Sequence, residues 1–332
     1  MWTLVRIRSP VMFIREPPFF SFPCDVLAVP CVFQSFSAYG APRWWWRLRL
    51  SWRSVAGSLS PWLGKSTPQI LFGDDNSATD AAEWTYRRTA TDGGEPYGPS
   101  DWFQGYPDCG GSAQSPINLA ASTHTVVEST QFDLQFSPHT CASEDLFFIA
   151  NERVWEVVFE GCAQQASLSF NGETYNLVQI HIHSPSEHAI GGSLRAAEIH
   201  WVHVKAVTED ELLVVGVLFD VSEYGTNVEL QPLWDVLDSG EDSTSASFET
   251  RIYDLIPPNK VFSHYMGSLT TPPCTEGVTW IVMNEPTVIS KMQLDEFRVS
   301  VALFDDSKVD EQGNTNRPYQ PLNDREVFLV KA

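Results

Sequence analysis

From about residue 115 onward, apolar and polar positions follow the two-residue period of strands more than the 3.6-residue period of helices. "DLFFIA", "RVWEVVFEG", "ASLSF", "YNLVQIHIH", "AEIHWVHVKAV", "ELLVVGVLF" and "VTWIVM" are short and rich in Val, Ile, Phe and Trp. Such side chains pack well on a half-buried pleated surface. Gly, Pro, Asn, Asp or Ser fill most of the gaps between these segments, which predicts turns. Helical spacing is confined to "VELQPLWDVLDS" and "SKMQLDEFRVSVAL". No repeat and no linker interrupts the stretch. The expected fold is mainly β (α+β), a single domain of roughly 240 residues.

One hairpin can be predicted in register. In "CASEDLFFIANERVWEVVFEGC" a two-residue turn at Asn151-Glu152 pairs positions whose numbers sum to 303. Cys141 and Cys162 satisfy that sum. They would face each other across the strands, as a cross-strand disulfide or as two small buried apolar residues.

The first 65 residues are different in kind. They hold eight Lys/Arg and two acids, a balance of +6, against −27 for the remainder of a chain of net charge −21. They also carry six of the twelve tryptophans, without sustained strand alternation or a capped helical period. Polar, Gly/Asp-rich sequence follows ("GDDNSATD", "TATDGGEP"). We therefore expect an N-terminal extension over 1–90, either a targeting leader or a segment without structure, and a domain over 91–332. No apolar run reaches the ~18 residues of a membrane span. The acidic balance argues against nucleic-acid binding through phosphate neutralisation. No obligate protein partner is evident.

Candidate chemistry centres on "VQIHIHSPSEH", which carries three of the eight histidines of the chain. In a strand, Gln179, His181 and His183 share one face; in "AAEIHWVH", Glu198 and His200 do the same while His203 points away. If those strands are neighbours, one face holds three imidazoles flanked by Gln179 and Glu198. Three neutral nitrogens with a fourth position open suit a catalytic zinc. Acceptors two residues away suit the second ring N–H of a ligating histidine. A His pair at i, i+2 also occurs on an ordinary polar strand face. The helix motif H-E-x-x-H, a Cys-x-x-Cys pair and G-x-S-x-G are all absent, so neither those metal sites nor a serine hydrolase is indicated.

Five segments in order, "SAQSPINL", "QIHIHSPSEH", "AAEIHWVH", "GSLTTPPCTEGVTWIV" and "NRPYQPL", together resemble an alpha-class carbonic anhydrase over roughly residues 95–330. The resemblance implies a large, mostly antiparallel twisted β-sheet with a few short peripheral helices. It also implies hydration of carbon dioxide to bicarbonate and a proton by a zinc-held hydroxide. It makes His181, His183 and His200 the zinc ligands, with Gln179 and Glu198 as their outer partners. Thr270 accepts the hydroxide proton and Glu187 accepts the proton of Thr270. Val202, Val214, Leu269, Val278 and Trp280 become the apolar wall for carbon dioxide, with Thr271 on the polar side. Tyr97 and Tyr265 become tyrosines of the inner hydrogen-bond network. Sulfonamides and anions are the expected inhibitors.

The resemblance further pairs Cys109 with Cys274 in the disulfide of extracytoplasmic members, which implies secretion or an organelle lumen. It places Arg153 where fast members carry a histidine proton shuttle. Arginine stays protonated and cannot relay protons, so turnover is expected to depend on Glu152, Glu156 or external buffer.

Overall fold

The computed structural model describes residues 83–88, 96–137, 140–141, 147–150, 155–159, 166–231, 233–234, 250–251, 253–304, 309–310 and 312–331. Cα packing separates Met1–Trp62 from Leu63–Ala332, and every described residue belongs to the second unit. Of the expected extension over 1–90, residues 83–88 are described, with Trp84 and Tyr86 buried in one cluster with Trp102; the rest of it, and residues 89–95 around the expected boundary, lie outside the described residues.

The strands are β1 (Asn118–Leu119), β2 (His124–Glu128), β3 (Leu134–Phe136), β4 (Thr140–Cys141), β5 (Phe147–Ala150), β6 (Trp155–Val158), β7 (Ser167–Phe170), β8 (Glu173–His183), β9 (Ala189–Ile190), β10 (Ser193–Leu194), β11 (Ala197–Lys205), β12 (Leu212–Ser222), β13 (Thr250–Arg251), β14 (Phe262–Ser268), β15 (Glu276–Ser290) and β16 (Val327–Lys331). Helices are short: α1 (Trp102–Gly105) and α2 (Lys291–Phe304), the latter where "SKMQLDEFRVSVAL" predicts it. Of the other predicted helix, Gln231, Leu233 and Trp234 have helical backbone. No helix among the described residues is long and apolar enough to cross a membrane.

An 11-stranded sheet runs β2-β16-β14-β15-β12-β11-β8-β6-β5, with β7 pairing β8 and β3 pairing β7. Most pairs are antiparallel, as expected, yet the sheet is mixed: β12 runs parallel to β15, and β16 to β2. The predicted adjacency of the two histidine strands is present, because β8 and β11 pair antiparallel. A two-sided sheet needs two apolar covers, and both exist. Ile180, Ile182, Ile199, Trp201, Val215 and Ile281 belong to the larger core on one face. Val202, Val214, Val278, Trp280, Val282 and Tyr265 form a second cluster on the other.

The hairpin register differs from expectation. Phe147 pairs Val158 and Ala150 pairs Trp155, so paired numbers sum to 305 and four residues connect the strands. Asn-Glu lacks the glycine that a two-residue turn favours where φ must be positive, and a longer connection replaces it. Cys141 pairs Thr250 through β4 and β13. Cys162 lies outside the described residues, so the Cys141–Cys162 bridge does too.

His203 faces the larger core, as its alternation with His200 requires. It is fully buried, stacks on Tyr253 and hydrogen-bonds the Tyr253 hydroxyl at 2.9 Å. Burial holds its pKa down at about 3, whereas an unfolded histidine titrates near about 6.5. The native state therefore binds fewer protons in that window, and stability is lost as pH falls through it. His203→Gln is expected to flatten the fall of unfolding free energy between pH 6 and 4 by about 1.4 kcal/mol per pH unit. Urea titrations at several pH values check this, and an unchanged slope contradicts it.

Candidate metal centre

The register of β8 and β11 builds the site. His200 pairs His181 and Glu198 pairs His183, so all four project from one face of two adjacent strands. One row further along the strands, Gln179, Val202, Val214, Trp280 and Tyr265 are successive cross-strand partners. The histidines thus stand directly beside the apolar row. His183 and His200 are buried and His181 is half-buried.

Each imidazole is committed on its outer side. His181 Nδ1 lies 2.7 Å from Gln179 Oε1, His183 Nδ1 lies 2.6 Å from the carbonyl of Thr315, and His200 Nε2 lies 2.9 Å from Glu198 Oε1. These partners accept only, so the outer nitrogens must carry the protons. Burial lowers the pKa of all three rings, that of His183 to about 4. They are neutral at pH 7, and His181 Nε2, His183 Nε2 and His200 Nδ1 are bare lone pairs.

Those three nitrogens converge. One ligand atom from each ring falls within 4.8 Å of the others. His200 Nδ1 and His181 Nε2 stand only 3.1 Å apart with no proton to share. His183 Nε2 is buried without a hydrogen-bond partner. Facing lone pairs repel, and an orphaned buried acceptor is costly. A divalent cation removes both penalties, so the residues present fit a zinc ion with three protein nitrogens and one open position.

Glu198 anchors this arrangement. Its Oε1 takes His200 Nε2 at 2.9 Å and His188 Nδ1 at 2.7 Å. Its Oε2 takes the backbone N–H groups of Glu187 and His188 at 2.9 and 2.8 Å. Burial pushes its carboxyl up, but His188 and His200 outweigh that and hold it well below the ordinary value. Gly216 sits opposite His200, and a Cβ there would come 2.8 Å from Glu198 Oε1. Only a residue without a side chain leaves that oxygen its place.

The other residues singled out in the sequence fall as follows. Glu187 is fully buried; its Oε1 accepts the backbone N–H of Arg317 at 2.8 Å, and the Thr270 hydroxyl hydrogen-bonds its carboxyl group. Its Oε2 lies 3.5 Å from His183 Nε2. Burial raises the Glu187 pKa to about 7, opposed by His200 and by the Thr270 and Arg317 bonds. Val202, Val214, Val278 and Trp280 share one buried cluster against which Leu269 packs, and Trp280 lies edge-on to the His200 ring at 4.9 Å. Thr271 is half-buried beside Thr270. Tyr265 hydrogen-bonds His188 Nε2 at 2.7 Å. Tyr97 is backbone-paired with Trp84 and packs on the cluster of Trp84, Tyr86, Trp102 and the two cysteines. Arg153 and Glu152 lie outside the described residues. Glu156 is the cross-strand partner of His181 on β6, and burial raises its carboxyl pKa to about 7.

The Cys109–Cys274 disulfide is formed. It ties the turn Pro107–Gly110 to the loop that bears Thr270. Around it, Gln114 Nε2 bonds the Cys274 carbonyl, Ser115 and Ser268 exchange two hydrogen bonds, and Glu276 Oε1 takes the N–H of Ala113. The buried Arg317 guanidinium bonds Gln114 Oε1 and the carbonyls of Ser115 and Cys109 while lying over Trp102. Thr315, Arg317 and Gly216 were not predicted as site residues. Thr315 and Arg317 act on the site through backbone groups, and Gly216 acts by lacking a side chain.

Comparison with known proteins agrees with this geometry. The profile described as eukaryotic-type carbonic anhydrase matches residues 97–331. The chain is 32% identical to Carbonic anhydrase 4 of Rattus norvegicus over 283 residues, covering 77% of this chain and 87% of that one. It is 31% identical to a carbonic anhydrase of Klebsiella pneumoniae over 253 residues, covering 75% and 91%. It is also similar to the solved alpha-carbonic anhydrase of Thermovibrio ammonificans in complex with the inhibitor sulfanilamide. That likeness has 30% identity and a TM-score of 0.59, and covers 75% of this chain and 100% of that one.

Gly216→Ala tests the assignment of Glu198. The added methyl is expected to displace Oε1 from His200 and weaken zinc binding about 10-fold, the lower end for loss of a ligand's outer partner. Competition against a chromogenic chelator measures this, and wild-type affinity in the variant contradicts it.

Proposed function

The chain belongs to the eukaryotic-type carbonic anhydrase family, whose enzymes are carbonate dehydratases, EC 4.2.1.1, and from that premise we propose how its own residues carry out the reaction. His181, His183 and His200 hold one zinc ion, and the chain hydrates carbon dioxide reversibly to bicarbonate and a proton. The observation that supports this most is the convergence of three unprotonated nitrogens, two of them 3.1 Å apart. A zinc ion there supplies a nucleophile at neutral pH by lowering the pKa of water from about 15.7 to about 7.

The chain's residues then aim that nucleophile. An ionised Glu187 only accepts, so the Thr270 hydroxyl must donate to it. Thr270 Oγ1 is left with lone pairs alone facing the cavity. An attacking O–H held there can bond only as a donor, which turns its free lone pair toward the substrate. Glu187 is itself fixed by the Arg317 N–H, so the relay does not rotate. Carbon dioxide offers little to hydrogen-bond, and the apolar surface of Val202, Val214, Leu269, Val278 and Trp280 receives it by shape and dispersion. Thr271 borders that surface on the polar side. Tyr97 and Tyr265 belong to the inner hydrogen-bond network.

Proton removal is the slow partner of this chemistry. With Arg153 at the shuttle position, hydration is expected to rise steeply with added buffer of pKa near 7, and rates that stay high as buffer is diluted would contradict that assignment. The Cys109–Cys274 bridge supports an oxidising compartment, secreted or an organelle lumen.

Stopped-flow hydration of carbon dioxide tests the whole reading. Activity is expected to vanish when a chelator strips the zinc, to return with added zinc, and to be blocked by a sulfonamide. Thr270→Ala is expected to cost about 100-fold in kcat/KM while Thr270→Ser retains most of it. Full activity in zinc-free protein refutes the proposal, and an unimpaired Thr270→Ala refutes the relay.

A further inference from the structure

Residues 83–88 fall within the stretch that the sequence assigns to an extension, yet they are bound into the domain. Trp84 and Tyr86 are buried edge-on against Trp102, with ring centroids 5.1 and 5.9 Å away. The Tyr97 carbonyl accepts the N–H of Thr85 at 2.9 Å, and its N–H donates to the Glu83 carbonyl at 2.8 Å. The Thr85 carbonyl accepts Trp102 Nε1 at 3.1 Å. Gly98 lets the segment pass, because a Cβ there would come 2.3 Å from the Arg87 carbonyl oxygen. Arg88 follows directly on this anchor, and its guanidinium spans two groups near the other end of the chain. Nη2 donates to Asn316 Oδ1 at 3.2 Å, and Nε lies 3.5 Å from Asp310 Oδ2.

An ion pair open to water contributes little by itself, and the Arg88 side chain is 44% exposed. Two features set this one apart. Its acid is buried: the Asp310 side chain is 1% exposed, Oδ1 accepts the N–H groups of Gln312 and Asn314, and Oδ2 accepts Asn314 Nδ2, each at 2.8 Å. Arg88 supplies the positive charge beside that carboxylate. Its other partner, Asn316, is the pivot of the two backbone groups that reach the metal centre from this segment. The peptide bond before the Asn316 Cα carries the Thr315 carbonyl, 2.6 Å from His183 Nδ1. The one after it carries the Arg317 N–H, which Glu187 accepts at 2.8 Å. A rotation at Asn316 moves both. Its side chain is held at both ends, Oδ1 by Arg88 and Nδ2 by donation to the Ser186 carbonyl at 3.3 Å.

Resting on the zinc reading above, we propose that Arg88 is a positioning residue for the metal centre. Through Asn316 it fixes the Thr315 carbonyl that orients the ligand His183 and the Arg317 N–H that orients Glu187. Without Arg88, Asp310 keeps its charge with no guanidinium beside it, and Asn316 Oδ1 loses its donor. The Asn316 side chain then keeps only the longer bond to Ser186. His183 loses the fixed acceptor that holds its proton on Nδ1 and its lone pair on Nε2, and Glu187 loses the fixed donor behind its relay oxygen. The catalytic unit therefore includes residues 83–88, and the extension ends before them.

Arg88→Ala and Arg88→Lys in the full chain test this; the lysine keeps a charge beside Asp310 but offers one nitrogen where the guanidinium uses two. Zinc affinity, measured by competition against a chelator, is expected to fall about 5-fold in Arg88→Ala and about 2-fold in Arg88→Lys, below the range for a ligand's own outer partner. In zinc-free protein the NMR signal of the His183 Nδ1 proton is expected to shift. The Arg317 amide should exchange faster with deuterium, while the amide of Ile199 inside the sheet keeps its rate. A change in urea stability with wild-type zinc affinity and an unmoved His183 signal means that Arg88 is an ordinary surface clamp and overturns the inference. Wild-type behaviour throughout overturns it as well. If Arg88→Ala does not fold, Arg88→Lys decides alone on the same measurements. A wild type that binds no zinc overturns the histidine assignment itself, and the zinc-free His183 and Arg317 signals tell that result from a failure of the Arg88 role.

Discussion

Glu198 is a buried carboxylate that, among the described residues, is met by N–H groups and by no Lys or Arg side chain, and the site is organised around satisfying it. An ionised carboxylate removed from water is stable only if its lone pairs are taken up. Here four N–H groups do so, two from backbone and two from imidazoles. This single requirement fixes the tautomer of His200, locks His188, and holds the backbone of the turn that carries Glu187. The lone pair proposed to bind the metal and the carboxylate proposed for the relay are therefore positioned by the same group.

The sheet supplies the distances. Pairing of β8 with β11 brings His181 opposite His200, which no loop could hold as firmly. The remaining partners come from distant parts of the chain. The Thr315 carbonyl fixes His183 and the Arg317 N–H fixes Glu187. The Cys109–Cys274 bridge, closing 165 residues of chain, ties the Thr270 loop to the segment that Arg317 clamps. In the proposed reaction, rigid strands set the ligands, and stapled loops set the groups that aim the nucleophile.

Much of this was legible in the sequence, for definable reasons. A period of two assigns Gln179, His181 and His183 to one face without any model of the rest. The same period places Glu198 with His200 and turns His203 into the opposite core, where the structure has it. What sequence could not show falls into two kinds. Backbone groups such as the Thr315 carbonyl exist at every residue and leave no signature, and the role of Gly216 appears only once Glu198 has a position. Register across a turn depends on loop conformation, which is why the β5–β6 pairing came out two residues from its expected sum. His188 illustrates a third case: its link to Glu198 depends on how the turn after Pro185 folds back.

The central claim is that three neutral imidazoles present His181 Nε2, His183 Nε2 and His200 Nδ1 to one ion. Anomalous diffraction at the zinc edge from crystals of the zinc-loaded protein measures this most directly. The account predicts one strong peak at about 2.0–2.1 Å from each of these three atoms, with no fourth protein ligand. A peak bound through other ring nitrogens, closed by a fourth side chain, or absent from the cluster would contradict it.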